Sequence, residues 1–197
     1  MSESERIVVH PATGDRWDDV VRVFESGAIV NRCWCQWIRK TQRQARDDGR
    51  AGNRASLRAL IDDGEVPGLI AYVEGDPVGW CSVGPKSSFG RLSRSKALTP
   101  SAADRSPDGT WATLCFYVAP GRRGEGVVRA LLRGALAYAQ EMGATAYEVY
   151  PVRTSNREIS NDSAYPGTDR LLADEGFREV SSAAPGRSLQ IIMRKAL

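Results

Sequence analysis

The sequence predicts an α/β protein: a mixed central sheet of about seven strands with helices on both faces, in the order β-α-α-β-β-β-α-β-α-β-β. Three observations carry this. Short apolar runs bounded by Gly, Pro or Asp recur along the chain, and segments with apolar residues at helical spacing stand between them. Two of the runs flank Glu74-Gly75-Asp76, a hairpin signal, so the sheet cannot be wholly parallel. At 197 residues the chain is long enough for one well-buried core, and a single domain over residues 1–197 is expected.

"RIVVHPA" alternates as a short strand does, and "DRWDDVVRVFESG" follows with Trp17, Val20, Val21 and Phe24 on one helical face. The next stretch, Ala28 to Gly68, mixes aromatic, cysteine and charged residues. Within it "NRASLRALIDDG" reads as a helix with Asn53 at its N-cap. "GLIAYVEGDPVGWCSVGP" is the hairpin, and Lys86 to Gly109 a polar, Ser-rich loop. "TWATLCFYVAP" is nearly all apolar, as a central strand covered on both faces would be. In the helix after it, Val128, Leu131, Leu132, Ala135, Ala139 and Met142 form one stripe, with Arg129, Arg133 and Gln140 off it, until Gly143 ends the run. "ATAYEVYPV" is a strand, "TSNREISNDSAYPG" a polar loop and "TDRLLADEGF" a short helix. "FREVSS" and "LQIIMRK" form a last pair of strands.

Composition narrows the function classes. The 27 basic residues are nearly matched by 24 acidic ones, giving a net charge of +3, which disfavours a dedicated nucleic-acid binder. The acidic start "MSESERIVVHPATGDRW" lacks the pattern of a signal peptide, and no apolar run is long enough to span a membrane. With four cysteines, Cys33, Cys35, Cys81 and Cys115, a disulfide scaffold is not expected and a reducing cytoplasm is. Cys33-x-Cys35 lacks the paired knuckles of a zinc site and the only histidine, His10, lies on the first strand, so no metal is expected.

The stretch "VAPGRRGEGVVRALLRGAL" leaves an apolar strand through Pro, two Arg and three Gly straight into a helix. A glycine turn at a helix start turns backbone N–H groups outward beside the helix's positive end, where phosphate binds. A dinucleotide fingerprint would need Gly at Arg129, and a nucleotide P-loop would need Lys and Ser or Thr where Val127 and Val128 stand. Both fail.

The element order and this turn instead resemble the GNAT superfamily of acyl-CoA-dependent N-acyltransferases, over almost the whole chain. The pyrophosphate signature of that family matches Arg123-Gly124-Glu125-Gly126-Val127-Val128 after "CFYV", except that Val128 replaces a small residue. The resemblance implies an acetyltransferase using acetyl-CoA as cosubstrate, in a direct ternary complex with an amine. Arg123, Gly124, Glu125, Gly126, Val127 and Val128 would hold the pyrophosphate. Phe116, Tyr117 and Val118, where the strand would splay from its neighbour, would meet the pantetheine. "AYEVYPV" resembles a family strand whose Glu is the general base, which implies that role for Glu148. The Tyr that protonates the thiolate in many members is Leu172 here, leaving Tyr150 and Tyr165 as acid candidates. The segment between the first helices walls the acceptor site in this family. Trp34 and Trp37 then line that site with Arg32 available for an acidic group, or else the tryptophans plug the core. The acceptor implied is a small-molecule amine, or a protein N-terminus or lysine, and the oligomeric state is left open. The alternative is a non-catalytic GNAT-like domain that binds acyl-CoA as ligand or regulator; a third reading makes the Trp-rich face a protein-interaction surface.

Overall fold

In the computed structural model, residues 7–153, 168–182, 184 and 190–197 are described. The chain opens with strand β1 (Ile7–Pro11) and helix α1 (Trp17–Glu25). The stretch that follows is more helical than expected: α2 (Ala28–Cys33), a 3-10 turn at Gln36–Ile38, α3 (Gln42–Asp47) and α4 (Gly49–Asp62). Asn53 is therefore inside a helix, not at its N-cap. Its fully buried amide donates to the carbonyls of Arg32 (3.1 Å) and Ala45 (2.8 Å), tying α2 and α3 to α4.

The hairpin is β2 (Gly68–Val73) and β3 (Asp76–Ser82). Glu74 and Gly75, at φ 53° and 86°, both take the left-handed backbone that a tight two-residue hairpin turn requires. A two-residue β4 (Gly84–Pro85) precedes the segment expected to be a loop, which carries α5 (Gly90–Arg94) and buries Phe89, Leu92 and Leu98.

The apolar run read as one central strand is two strands in two sheets. β5 (Thr110–Thr113) pairs in parallel with β7 (Ala146–Val149), while β6 (Phe116–Val118) pairs antiparallel with β3. Ser82 causes the break: its Oγ accepts the N–H groups of both Leu114 (3.1 Å) and Cys115 (3.2 Å), which leave the β5 ladder there. Helix α6 (Val127–Glu141), α7 (Asp169–Asp174), β8 (Arg178–Val180) and β9 (Ile192–Ala196) complete the chain. One sheet runs β1-β2-β3-β6 and the other β4-β5-β7-β9-β8. The split run and the short β4 account for the two strands beyond the seven expected.

Helices cover both faces, and side chains alternate between two cores. Ile70 faces Phe24, Trp34 and Trp80 under α1–α4, whereas its neighbour Leu69 faces Leu131, Leu132 and Ala135 of α6. The stripe on α6 is as expected in its middle. Its ends differ, because Val128 is half-buried and Met142, past the last helical turn, is 55% exposed. Helix α6 packs on β1 at Gly134, where a Cβ would stand 2.7 Å from Val9 Cγ1. Val9 is β-branched and stiff, so the contact cannot be relieved by the side chain alone. Gly134→Leu is accordingly expected to lower stability by about 1–3 kcal/mol through overpacking, read as a reduced midpoint in urea titration; an unchanged midpoint would show that α6 can lift off β1 freely.

Candidate active site

The segment Ala119-Pro120-Gly121-Arg122 closes with Arg122 N–H donating to Ala119 O at 3.2 Å. Proline second and Gly121 third at φ +84° is the sequence a type II turn demands. Gly124 (φ +86°) and Gly126 (φ +81°) continue it, and a Cβ at either would meet nothing within 4 Å. Glycine is needed there for backbone conformation, not for space. Gly126 is the N-cap of α6 and no side chain caps the helix at that point. The first N–H groups of a 15-residue helix thus face outward with its positive end.

Beside the turn, β6 carries a second row of backbone groups. Ala119 N–H donates to Val78 O and Ser82 N–H to Cys115 O. By antiparallel alternation, Tyr117 also points toward β3 while the amides and carbonyls of Phe116 and Val118 point the other way. That other side is where β7 would pair, but the β5–β7 ladder has ended at Thr113–Val149.

A cavity of about 660 Å³ connects these features. Its floor is the glycine turn with Arg122, Arg123 and Arg129; one wall is Cys115 to Val118; the opposite wall is α2 and the turn after it, including Ile29, Cys33, Cys35, Trp37 and Ile38. Leu171 and Arg91 close it. Tyr117 joins the two walls: its hydroxyl bonds Ser26 Oγ at 2.9 Å, and its ring lies where a Cβ on Gly27 would be.

Of the residues expected at the cofactor, Phe116, Tyr117, Val118, Arg123, Gly124, Gly126, Val127 and Val128 line this cavity. Glu125 does not, and pairs with Arg122 at 3.7 Å. Of the acceptor residues Trp37 lines it, half in solvent at 40% exposure. Trp34 does not. It is fully buried, stacked on Phe24 (4.8 Å between centroids, 6° between planes) and on Trp17 (6.0 Å), with the Arg54 guanidinium 5.5 Å from its ring. Arg32 is exposed on α2 away from the cavity. Leu172 is fully buried and belongs to the core under α6, so it is Leu171 that faces the cavity. Tyr165 lies outside the described residues.

Neither Glu148 nor Tyr150 lines the cavity. Both are fully buried, Glu148 on β7 and Tyr150 just past its end. Glu148 accepts hydrogen bonds from Lys86 Nζ (2.7 Å), Ser106 Oγ (2.7 Å), Arg194 Nε (2.9 Å) and the Tyr150 hydroxyl (2.5 Å). Burial alone would raise the carboxyl pKa. The bonds from Lys86, Tyr150 and Ser106 outweigh it and hold the group below its ordinary value. A carboxylate so held is a weak base. Burial and the charge of Glu148 push the Tyr150 phenol well above its usual range.

Sequence reasoning missed Arg91, Arg122, Ile29, Ile38, Cys115 and Leu171. Arg91 sits in a stretch without periodicity, so no pattern marked it. The thiols of α2 and the turn after it stay protonated at neutral pH: burial pushes Cys33 up to about 12, and a hydrogen bond with Cys115 together with burial raises Cys35. Among the described residues no group of three or more His, Cys, Asp or Glu is placed to hold a metal ion, and no helix is long and apolar enough to cross a membrane.

A splayed mixed sheet with a glycine turn feeding a long helix defines a fold that cradles a phosphate-bearing cofactor between two sheets. The family model described as "Acetyltransferase (GNAT) family" matches residues 31–159, and the chain belongs to that family. Solved structures with the same fold include PaiA N-acetyltransferase from Thermoplasma acidophilum in complex with coenzyme A (13% identity, TM-score 0.54, all of both chains covered). The structure of yncA from Salmonella typhimurium with its cofactor acetyl-CoA shares 19% identity at TM-score 0.55, covering 98% of this chain and 94% of that one. Ribosomal-protein-alanine N-acetyltransferase from Brucella melitensis shares 20% at TM-score 0.51, covering 96% and 99%. No curated protein matches.

With Lys86 and Arg194 both bound to one buried carboxylate, Glu148→Gln should cost about 3–5 kcal/mol, the cost of breaking a buried pair from one side. The sign with pH follows from the depressed pKa. The contribution of Glu148 is complete above its ordinary value of 4.5 and is lost as pH falls through the lower folded-state value. Urea titrations of wild type and variant from pH 7 downward should therefore converge in acid. A pH-independent gap would mean that Glu148 is not ionised in the folded protein.

Proposed function

We propose that the protein is an N-acetyltransferase that moves an acetyl group from acetyl-CoA to an amine by direct attack in a ternary complex. The observation that carries this reading is the continuity of one cavity past the glycine turn, the unpaired edge of β6 and an apolar wall. In order, these suit the pyrophosphate, the pantetheine arm with its thioester, and an acceptor.

Acetyl-CoA would supply an activated acyl carbon. The N–H groups from Gly124 to Val128 and the guanidinium of Arg123 hold the pyrophosphate. The outward amides and carbonyls of Phe116 and Val118 extend the sheet with the pantetheine, and an N–H there meets the thioester carbonyl. A donor so placed stabilises the oxyanion, by about 3–4 kcal/mol in comparable sites. The amine nitrogen attacks the carbonyl carbon and its C–N bond forms. The C–S bond then breaks, nitrogen gives up a proton and the departing thiolate receives one. Holding both reactants in one cavity contributes about 7–11 kcal/mol over a free encounter at its best. An acyl-cysteine at Cys33 or Cys35 is disfavoured because both are held as thiols, and the thiolate is the nucleophilic form.

The role first expected of Glu148 passes from proton abstraction to structure: it fastens Lys86 and Ser106 to the sheet. Tyr150 belongs to the same cluster, and Tyr165 remains a proposed acid on the resemblance alone.

The experiment is titration of the purified protein with acetyl-CoA, followed by thiol release against a panel of amines. Binding with release supports the reading. Binding with no release from any amine would favour a domain that holds acyl-CoA as a ligand. Two variants isolate the phosphate contact. Asn tolerates the left-handed backbone of Gly126, so Gly126→Asn and Gly126→Asp differ mainly by a charge. The Asp variant is expected to bind acetyl-CoA at least about tenfold more weakly than the Asn variant; equal affinities would remove the pyrophosphate from this turn.

A further inference from the structure

Past the edge of β6 the cavity ends among thiols. Cys115 directly precedes Phe116, where the two sheets part, and it lines the cavity together with Val30, Cys33, Cys35 and Ile38 of the facing wall. Each of these five is at most 7% exposed, whereas Ile29 and Trp37 at the mouth are 50% and 40% exposed. Little of each deep surface is open, so this end is a slot and the mouth is the wider opening. The slot is also held in shape. The Cys35 thiol stands against that of Cys115 and accepts the Trp80 Nε1 hydrogen at 3.0 Å, and the Cys33 thiol donates to Val30 O at 3.7 Å. A thiol so placed lines a cavity as a small apolar group.

The order of residues along the chain decides what meets the slot. The glycine turn follows Val118, the outward backbone groups are those of Val118 and then Phe116, and Cys115 is next. With the pyrophosphate on the turn and the pantetheine along this edge, the thioester comes to Phe116, and whatever hangs on its carbonyl carbon continues toward Cys115. The amine suits that place poorly. Among the described residues the charged groups in the lining are arginines: Arg122, Arg123 and Arg129 at the phosphate end, and Arg91, whose Nη2 donates to Gln190 Oε1 at 2.8 Å. An ammonium in the slot would lose its water and meet no carboxylate, whereas a hydrocarbon chain gains with each methylene taken out of water.

We propose that the slot takes the acyl chain of the donor, so that the enzyme transfers straight acyl groups longer than acetyl, with acetyl the shortest of the series, while the amine enters at Ile29 and Trp37. The proposal rests on the acyl-transfer reading above and changes only the length of the group transferred. The bonds are the same: C–N forms at the acyl carbon, C–S breaks with its electron pair going to sulfur, and the proton lost by nitrogen balances the one gained by the thiolate. The products are the N-acyl amine and free CoA.

The test is calorimetric titration of the full chain with CoA and with acetyl-, propionyl-, butyryl-, pentanoyl- and hexanoyl-CoA. Pivaloyl-CoA, which has as many carbons as pentanoyl-CoA but branches beside the carbonyl, completes the set. Affinity is expected to rise about twofold to fourfold per added methylene from acetyl to at least butyryl, and pivaloyl-CoA to bind no tighter than acetyl-CoA. Cys33→Leu, which fills the slot from α2, should flatten the rise, and Cys33→Ala should keep it. CoA, with no acyl chain, reports in both variants that the phosphate end still binds; where Cys33→Leu does not fold, the contrast between pentanoyl and pivaloyl decides alone. Thiol release against the amine panel should follow the same order in kcat/KM. Affinity that is flat or falls beyond acetyl would overturn the proposal, as would a rise that pivaloyl-CoA shares or that survives in Cys33→Leu, or tighter binding without transfer of the longer groups to any amine. In each of those cases acetyl-CoA binding with thiol release would leave the acetyltransferase reading standing. Failure of CoA and every thioester to bind would instead remove that reading, and this proposal with it.

Discussion

Everything in the site depends on two hydrogen bonds to one hydroxyl. Ser82 Oγ accepts from Leu114 and Cys115, and Thr113 Oγ1 donates to Ser82 O at 2.7 Å. Ser82 thereby satisfies backbone groups that a regular ladder would have paired with a neighbouring strand, all of them buried. An unpaired buried N–H would cost about 1–3 kcal/mol, so without such a partner the run from Thr110 to Val118 would be driven to stay in one sheet. With it, β5 remains beside β7 and β6 remains beside β3 while the sheets part. The gap between them is the cavity, and the edge of β6 is exposed to it because the break is paid for behind it.

Charge in the cavity is arranged by what stands outside it. Arg129 and Arg133 both grip Glu175, at 2.7 and 2.9 Å, and Glu175, lowered first by its bond to Arg133, stays ionised. Glu125 faces Arg122 from off the cavity wall. The carboxylates thus steady the arginines from the rear, leaving a positive floor for an anionic ligand. The opposite wall is held by packing. Trp34 and Cys35 take left-handed backbone, at φ 44° and 54°, a conformation that costs bulky residues about 1–3 kcal/mol each. Stacking of Trp34 on Phe24 and Trp17 offsets that cost, and the double kink turns Trp37 and Ile38 toward the cavity.

This division explains what the sequence could and could not disclose. The hairpin, α1, α6 and the glycine turn each carry a local cause within a few residues: left-handed positions, a stripe, a turn with Pro and Gly in fixed places. They were legible for that reason, and with them the phosphate end of the site. The split of the central strand was not, because its cause, Ser82, is about thirty residues away and apolar periodicity passes unbroken through Leu114 and Cys115. Trp34 and Trp37 show the same limit at closer range. Three positions apart, they share composition and neighbourhood, and only the two left-handed residues between α2 and the next turn send one into the core and the other to the cavity mouth.

Glu148 is the sharper case, since the family resemblance drew attention to a carboxylate that the structure ties into a buried cluster off the cavity wall. It bonds Lys86 at one end of the Lys86–Ser106 segment and Ser106 at the other, so one carboxylate closes a loop of about twenty residues onto β7, and loop closure costs entropy that grows with length. That loop carries α5, and α5 carries Arg91. The second support of Arg91, Gln190, reaches the carbonyl of Tyr150, whose hydroxyl lies on Glu148. Two routes from the same carboxylate therefore converge on Arg91. Substituting Glu148 would free the Lys86–Ser106 segment and shift α5 against the cavity, so a rate lost in such a variant has a structural cause to be separated from the loss of a base.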